Sequence, residues 1–263
     1  MTAARRGGWL AALALATAGC LPATRPLPEG LPAAPAELLA EVRATQGLVA
    51  RVQGEARLDV TTPQGSGSLT SFVAAERPGR LRIDSQDFFG NVLSAVAVDG
   101  GRLTLYDARE KVFYRGPATA RNLGLLVPVA LPPEELVTLL CGSAPLLDGA
   151  PIDLSPAPGG GALRLTLRRG EALQRVDVGA GAAVMHVVRS HAGVVELEAT
   201  LSVHQPRGGA PFPGEVQVKA PLAQLELGLR WKSVEVNGVV EESLFTLAPP
   251  AGARVVELPP DSP

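Results

Sequence analysis

Histidine, cysteine and serine side chains are the first groups in this chain to consider as metal ligands or nucleophiles. The three histidines, His186, His191 and His204, lie in or beside segments whose apolar residues alternate as in a strand. His186 and His191 are five residues apart, which places them on opposite faces of a strand. They are therefore poor partners for one metal ion, and we expect strand or surface roles for all three histidines.

The remaining candidates for catalysis have simpler interpretations. Cys141 lies in an apolar stretch with helical spacing, where a buried structural thiol is expected. Gly65-Ser66-Gly67-Ser68 lacks the G-x-S-x-G spacing of a nucleophile elbow and is typical of a turn. Glycines 159–161 precede a strand and not a helix, so they do not predict a phosphate loop. The sequence predicts no enzyme activity, no metal and no cofactor.

Cys20 points to a different chemistry, the acylation of a thiol. A basic pair, Arg5-Arg6, precedes an apolar run from Trp9 to Ala16. This run is shorter than the ~20 residues of a membrane-spanning helix and is typical of a secretion signal. Thr17-Ala18-Gly19-Cys20 resembles the lipobox of bacterial lipoproteins, in which the signal is cut before a cysteine that becomes acylated. An ordinary signal peptide with an incidental cysteine is the alternative.

The residues after Cys20 are rich in proline and typical of a tether. Two or more acyl chains give stable membrane attachment where one gives marginal binding. Leu21 stands where enteric bacteria place the Asp that retains lipoproteins in the inner membrane. We therefore expect a protein anchored by lipid to the cell outer membrane, with its domain facing the periplasm. The predicted divisions are a signal at 1–19, a lipidated cysteine and tether at 20–35, one domain at 36–258 and a tail at 259–263.

Composition narrows the function classes further. The formal net charge is −2, and charges of both signs are scattered, so no basic surface for nucleic acid is expected. If Cys20 is acylated, Cys141 has no partner for a disulfide. The length that remains after the tether is sufficient for one large domain.

Hydrophobic periodicity predicts two helices and a long series of strands. The first helix spans 36–52, with an apolar stripe of Leu38, Val42 and Val49 and their neighbours Leu39 and Leu48. The second begins after Pro132-Pro133 and ends at Gly142. Asn237-Gly238 is a strong hairpin signal. The predicted strands are 55–60, 68–75, 80–85, 92–98, 102–107, 111–115, 163–169, 172–178, 183–190, 194–203, 215–220, 225–236 and 244–248.

So many short strands joined by tight turns predict an α+β fold that is mainly β. A flat sheet of this size is improbable, so we expect a curled antiparallel sheet or half-open β-barrel with covering helices. Such a sheet can enclose an apolar cavity. The candidate lining residues, taken from alternating apolar positions and the second helix, are Phe72, Leu81, Ile83, Val96, Val98, Leu103, Leu105, Leu136 and Leu140.

Three stretches, together with an anchored cysteine and a leading helix, resemble the LolA and LolB family of lipoprotein carriers and outer-membrane receptors. They are LLVPVALPPEELVTLLCGSAP (125–145), RIDSQDFFGNVLSAVAVDGGRLTLYD (82–107) and the C-terminal strands of 212–258. The resemblance spans about residues 36–258. It implies a LolA/LolB-like fold and a non-catalytic role in delivering lipoproteins to the outer membrane.

The resemblance also implies partners and a second site. The partners would be acyl chains of lipoproteins or phospholipid, and a periplasmic carrier protein. In LolB a protruding loop carries an exposed apolar residue that assists delivery into the membrane, and Phe88, Phe89 and Gly90 fall on that loop. Burial of one or both rings in the core is the alternative for these phenylalanines. For the whole chain, the alternative is an envelope scaffold lipoprotein that holds a protein partner with the same fold.

Overall fold

The computed structural model describes residues 25–87, 89–126 and 131–260. Its helices are α1 Pro35–Gly47, α2 Ala120–Leu126 and α3 Pro133–Leu140, and short 3₁₀ turns cover Ala180–Ala182, Pro221–Ala223 and Glu242–Phe245. The strands are β1 Arg51–Thr62, β2 Gly65–Glu76, β3 Arg80–Gln86, β4 Val92–Asp99, β5 Arg102–Asp107, β6 Val112–Pro117, β7 Ala150–Pro156, β8 Leu163–Arg169, β9 Ala172–Val178, β10 Val184–His191, β11 Val194–Arg207, β12 Ala210–Ala220, β13 Leu225–Val236 and β14 Arg254–Glu257.

All fourteen strands form one sheet, in the order β14-β6-β5-β4-β3-β2-β1-β13-β12-β11-β10-β9-β8-β7. Neighbours are antiparallel, except that β14 pairs in parallel with β6. The sheet consists of two meanders, β1–β6 and β7–β13, which are joined by the pairing of β1 with β13. The predicted mainly β fold with one curled, unclosed antiparallel sheet and few helices is confirmed.

Because each hairpin reverses the chain, its turns alternate between two rims of the sheet. We define the upper rim by the turns 63–64, 87–91, 108–111, 170–171, 192–193 and 221–224. The lower rim carries the turns 77–79, 100–101, 157–162, 179–183 and 208–209. The predicted aromatic loop therefore lies on the upper rim.

The main hydrophobic core lies on the face of the sheet that α1 and α3 cover, which we call the inner face. Pro35 in the first turn and Glu37 suit the start of α1, and Leu38, Leu39 and Val42 are buried against the sheet. Leu48, placed in the predicted stripe, follows the helix and is half exposed.

The helix α3 begins and ends as its sequence predicts. Pro133 stands in its first turn with two acidic residues after it, where the helix dipole favours them. Gly142 ends it with φ +78°, a conformation that glycine adopts without strain. A Cβ at Gly142 would lie 2.7 Å from Pro213 and 2.8 Å from Phe212, so this glycine also permits close packing of the helix end on β12.

A second, smaller apolar layer covers the opposite, outer face of β3–β6. Phe113 and Phe245 are both about 1% exposed, and the 3₁₀ turn that carries Phe245 contacts β3 and β4. The Arg80 guanidinium lies 4.4 Å from the Phe245 ring centre, a cation–π distance. Arg82 donates a hydrogen bond of 3.3 Å to the Thr246 carbonyl. The C-terminal segment thus crosses the outer face before β14 joins β6.

Several local predictions differ from the structure. The predicted strand 244–248 is a 3₁₀ turn and extended chain, and α2, β7 and β14 were not predicted. Asn237-Gly238 forms no hairpin, because β13 ends at Val236. Instead, the Asn237 side chain accepts from the Ala50 amide (2.9 Å) and donates to the Leu48 carbonyl (2.7 Å). Serines 66 and 68 lie in β2 and not in a turn. Tertiary packing decides each of these short, ambiguous segments.

Phe245→Ala should lower the free energy of unfolding by about 3–5 kcal/mol, because it removes a fully buried ring and leaves a cavity. The measurement is urea unfolding followed by circular dichroism. Val239→Ala is the control, since Val239 is 88% exposed and its truncation should change stability by less than about 0.5 kcal/mol. Equal effects of the two substitutions would show that the C-terminal segment does not pack on the outer face.

Candidate functional site

Eight of the nine predicted lining residues lie on the inner face. Ile83 packs against the core cluster, and the other seven belong to it: Leu81, Val96, Val98, Leu103, Leu105, Leu136 and Leu140. Phe72 does not share this face, so its placement was wrong. It stands opposite Asp84 in the β2–β3 register, whereas its neighbour Val73 stands opposite Ile83 and belongs to the core. Successive strand residues point to opposite faces, so Phe72 faces outward.

An apolar cavity of about 90 Å³ lies between α3 and the middle of the sheet. Of the predicted residues, Ile83, Leu136 and Leu140 line it. The other five predicted residues on the inner face pack elsewhere in the core: Leu81, Val96, Val98, Leu103 and Leu105. The sequence prediction missed most of the lining, which is contributed by β1, β2, α3, β12 and β13: Leu58, Val60, Val73, Leu139, Val216, Val218, Leu227, Gly228 and Leu229.

The size of this cavity has a direct consequence. Ligand pockets usually measure ~300–1,000 Å³, so the cavity is too small in this conformation to take a drug-sized ligand or a long acyl chain. All the side chains around it are apolar. Because α3 contributes three of the lining residues, a shift of α3 away from the sheet would enlarge the cavity, and the contacts that hold α3 oppose such a shift.

Arg77, in the lower-rim turn between β2 and β3, holds one side of α3. Its Nε donates to the Val49 carbonyl (2.9 Å) and its Nη1 donates to Thr138 Oγ1 (3.1 Å). Thr138 in turn donates to the Glu134 carbonyl within α3 (2.8 Å). Burial lowers the pKa of Arg77. This guanidinium thus links the end of α1, the sheet and α3 at one point.

Arg189 on β10 makes the second polar contact with α3. Its two terminal nitrogens donate to the two carboxylate oxygens of Glu135, at 2.7 and 2.9 Å. Both side chains are about one-fifth exposed, and the hydrogen bonds that Arg189 donates to Glu135 raise the pKa of Arg189. Bidentate pairs of this kind are directional and stronger than neutral hydrogen bonds. The apolar helix is therefore fixed by two polar contacts, one from the turn between β2 and β3 and one from β10.

The predicted aromatic loop forms a tight turn on the upper rim. Phe88 lies outside the described residues. Phe89 is 85% exposed, and Gly90 has φ +84°. Asp87 Oδ1 accepts hydrogen bonds from the amides of Phe89 (2.8 Å) and Asn91 (2.9 Å). The bonds from Asn91 lower the pKa of Asp87, so the carboxylate holds the turn with the Phe89 ring toward solvent.

Other exposed apolar side chains share this rim. Val92 and Leu93 follow the aromatic loop and are 43% and 39% exposed, and Leu222 in the turn before β13 is 71% exposed. Isolated exposed apolar residues are ordinary, but their grouping along one rim marks a surface suited to contact with another apolar surface.

The histidines and Cys141 have structural surroundings. His186 Nε2 lies 2.9 Å from Glu198 and its Nδ1 lies 3.6 Å from Asp177; hydrogen bonding to Asp177 and Glu198 raises its pKa. Burial lowers the pKa of His204. Cys141 is 2% exposed, and burial raises the pKa of its thiol to about 11, which leaves little thiolate. Within the described ranges, no group of three or more acidic, histidine or cysteine residues could hold a metal ion.

Cys20, the predicted lipidation site, lies outside the described residues. In the part of the chain that the structure covers, no helix has the length and hydropathy needed to cross a bilayer.

Comparison with solved structures identifies the fold. No family model and no curated protein matches the sequence. Three of the matching solved structures each cover 80% of this chain. One is a provisionally assigned outer membrane lipoprotein-sorting protein domain from Vibrio parahaemolyticus, with 12% identity, 94% of that chain covered and a TM-score of 0.57. The others are a DUF1329 family protein from Desulfovibrio piger (11% identity, 95% of that chain, TM-score 0.56) and a LolA superfamily protein from Nitrosomonas europaea (10% identity, 97% of that chain, TM-score 0.52). At these identities the similarity establishes the fold.

Glu135→Gln should loosen α3, because the neutral amide keeps the shape of Glu135 but loses the charge-assisted bonds to Arg189. We expect a several-fold increase in binding of an environment-sensitive apolar dye, measured by fluorescence titration. Glu134→Gln is the matched control, since Glu134 is the exposed neighbour in the same turn of α3. Equal dye binding by both variants and the unaltered protein would show that the ion pair does not restrain the helix.

Proposed function

Since the chain has the LolA-like fold, we propose that it binds acyl chains of lipoproteins or lipids in the apolar space beneath α3. We further propose that Cys20 anchors it to the outer membrane and that it acts there in lipoprotein localisation. The proposal includes no catalytic step. It assigns a role to the inner face, the aromatic loop and the anchor, and each can be tested separately.

The observation that carries the proposal is the wholly apolar cavity under a helix that is fixed by polar contacts. An acyl chain gains ~0.8 kcal/mol for each methylene transferred from water to such a lining. Moving α3 breaks the Arg77 and Arg189 contacts, which cost a few kcal/mol between them. Burial of several methylenes therefore offsets the loss of these two polar contacts.

The sequence supports the proposed anchor at Cys20 and the proposed location at the outer membrane. The lipobox-like residues before Cys20 and the absence of Asp after it favour an acylated protein of the outer membrane, with the sheet on the periplasmic side. The named outer membrane lipoprotein-sorting domain with the same fold supports this class of function. A periplasmic carrier that delivers the acyl chains is the partner this role requires.

The small volume of the cavity favours a second candidate. A scaffold lipoprotein that holds a protein partner has no use for an open cavity, and side chains fill most of the inner face here. Lipid binding separates the two candidates, because a scaffold predicts a stable lipid-free protein.

Native mass spectrometry of the protein purified from the bacterial envelope tests the main proposal. We expect phospholipid or lipopeptide to co-purify, and we expect Ile83→Trp to abolish the bound mass because the larger ring occupies the cavity. Phe72→Trp is the control, since it enlarges a residue on the opposite face of the adjacent strand. A folded protein that carries no lipid and takes up no added lipopeptide would support the scaffold instead.

The aromatic loop is proposed to contact the membrane during delivery. Replacing Phe88 and Phe89 together by Glu should weaken the binding of the chain from Leu21 onward, secreted without acyl chains, to phospholipid vesicles. One large apolar side chain contributes ~1.5–3 kcal/mol on burial, so a loss of roughly 10- to 100-fold in partitioning is expected. Vesicle co-sedimentation measures it, with exposed Val239→Glu as the control. Loss of folding in the double variant would instead indicate that these rings belong to the core.

A further inference from the structure

The segment that leads from Cys20 into α1 is attached to the sheet. The Gly161 amide donates a hydrogen bond of 3.2 Å to the Arg25 carbonyl, and Arg25 forms a parallel bridge with Gly160. Leu31, farther along the same segment, packs against the core cluster. The predicted free tether is therefore bound at its inner end to the turn between β7 and β8.

This turn is shaped to receive an extended chain. Gly159, Gly160 and Gly161 have φ values of +87°, +72° and +73°, a backbone that only glycine adopts three times in succession without strain. A Cβ at Gly160 would overlap the Arg25 carbonyl, whereas a Cβ at Gly159 would meet nothing within 4 Å. The absence of a side chain at Gly160 therefore permits the close approach of the Arg25 backbone.

The position of this contact limits where an acylated Cys20 can hold the domain. Only five peptide steps separate Cys20 from Arg25, so the extended reach is at most ~18 Å. The contact lies on the lower rim, in the turn 157–162, whereas Phe89 lies on the upper rim. β1 alone runs for 12 residues between the rims, a strand length of ~40 Å.

We propose that Arg25, Gly160 and Gly161 form a tether clip that sets the orientation of the domain on its membrane. With the clip closed, the lower rim stays next to the bilayer and the aromatic loop faces away from it. With the clip open, the residues from Arg25 up to Leu31 join the tether, and this longer tether lets the upper rim approach the bilayer. The few contacts of the clip make this change reversible. This inference rests on the anchoring at Cys20 in the proposed function, but not on lipid binding in the cavity.

Energy transfer between the upper rim and the bilayer tests the clip. The full-length acylated protein, with Gln64→Cys in the upper-rim turn 63–64, is labelled with a donor and placed in phosphatidylethanolamine and phosphatidylglycerol vesicles that contain an acceptor lipid. Buried Cys141 stays unlabelled because its thiol is inaccessible and little ionised. We expect low transfer in this protein and several-fold higher transfer when Gly160→Ala opens the clip. Gly159→Ala, in the same turn with the same sign of φ, should leave transfer low.

A pair of insertions gives an independent measurement that needs no change in the turn. About ten Gly/Ser residues, which by themselves have a mean end-to-end distance of roughly 17 Å, placed between Ala23 and Thr24 lengthen the tether outside the clip and should raise transfer. The same insertion between Pro28 and Glu29 lies on the domain side of the clip and should not. Equal transfer in all variants, or equal gains from both insertions, would overturn the clip.

Vesicle flotation separates the failure of this inference from that of the proposed function. Protein that does not float with vesicles lacks the Cys20 anchor, which overturns both the clip and the anchored role. Protein that floats and binds lipid, but shows high transfer before any substitution, overturns the clip alone.

Discussion

The pairing of β1 with β13 is the interaction on which the rest of the structure depends. It joins two strands separated by more than 160 residues, in ten register pairs from Val52–Val236 to Thr61–Glu226. Without it, the two meanders would be separate sheets, each with an unprotected edge. With it, Leu58 and Val60 stand beside Leu227 and Leu229 on one inner face. Part of the cavity lining therefore comes from β1 and β13, a strand near the start of the domain and a strand near its end.

A sheet of this size has a large apolar inner face, which α1 and α3 cover. α1 and α3 provide apolar surface, but hydrophobic contact alone does not fix the position of a helix. Arg77 and Arg189 fix the position of α3, because each hydrogen bond is lost once the helix moves by a few ångströms. The same arrangement suits a helix that must be closed in one state and open in another. In the proposed function, an apolar interface re-forms around an acyl chain, and the polar contacts return α3 to a single closed position.

The outer parts of the molecule are organised around the two rims. The upper rim carries the Asp87-stabilised aromatic turn and Leu222, and the lower rim carries the Arg77 turn and the attachment of the leading segment. In the proposed function, access to the inner face, contact through exposed apolar residues and attachment to a membrane belong to different places in one sheet. Each can change without disturbing the strand register, which depends on the inner-face pattern.

Much of this protein was determined by local sequence alone. Alternating apolar residues specified most strands of both meanders, and Pro133 with the acidic pair after it marked α3, because these signals depend on neighbours in the chain. The mainly β class followed from them, whereas the LolA-like resemblance rested on three stretches of sequence and on Cys20. Only the tertiary structure decided that Phe72 faces outward and that the Asn237 side chain bonds to the backbone between α1 and β1. The close approach of the Arg25 backbone to Gly160 also depends on it. The tertiary structure also placed β1 beside β13, which brought most of the cavity lining together. Periodicity gives two faces for a strand but cannot say which is buried, and pairing between distant segments leaves no local mark in a single sequence.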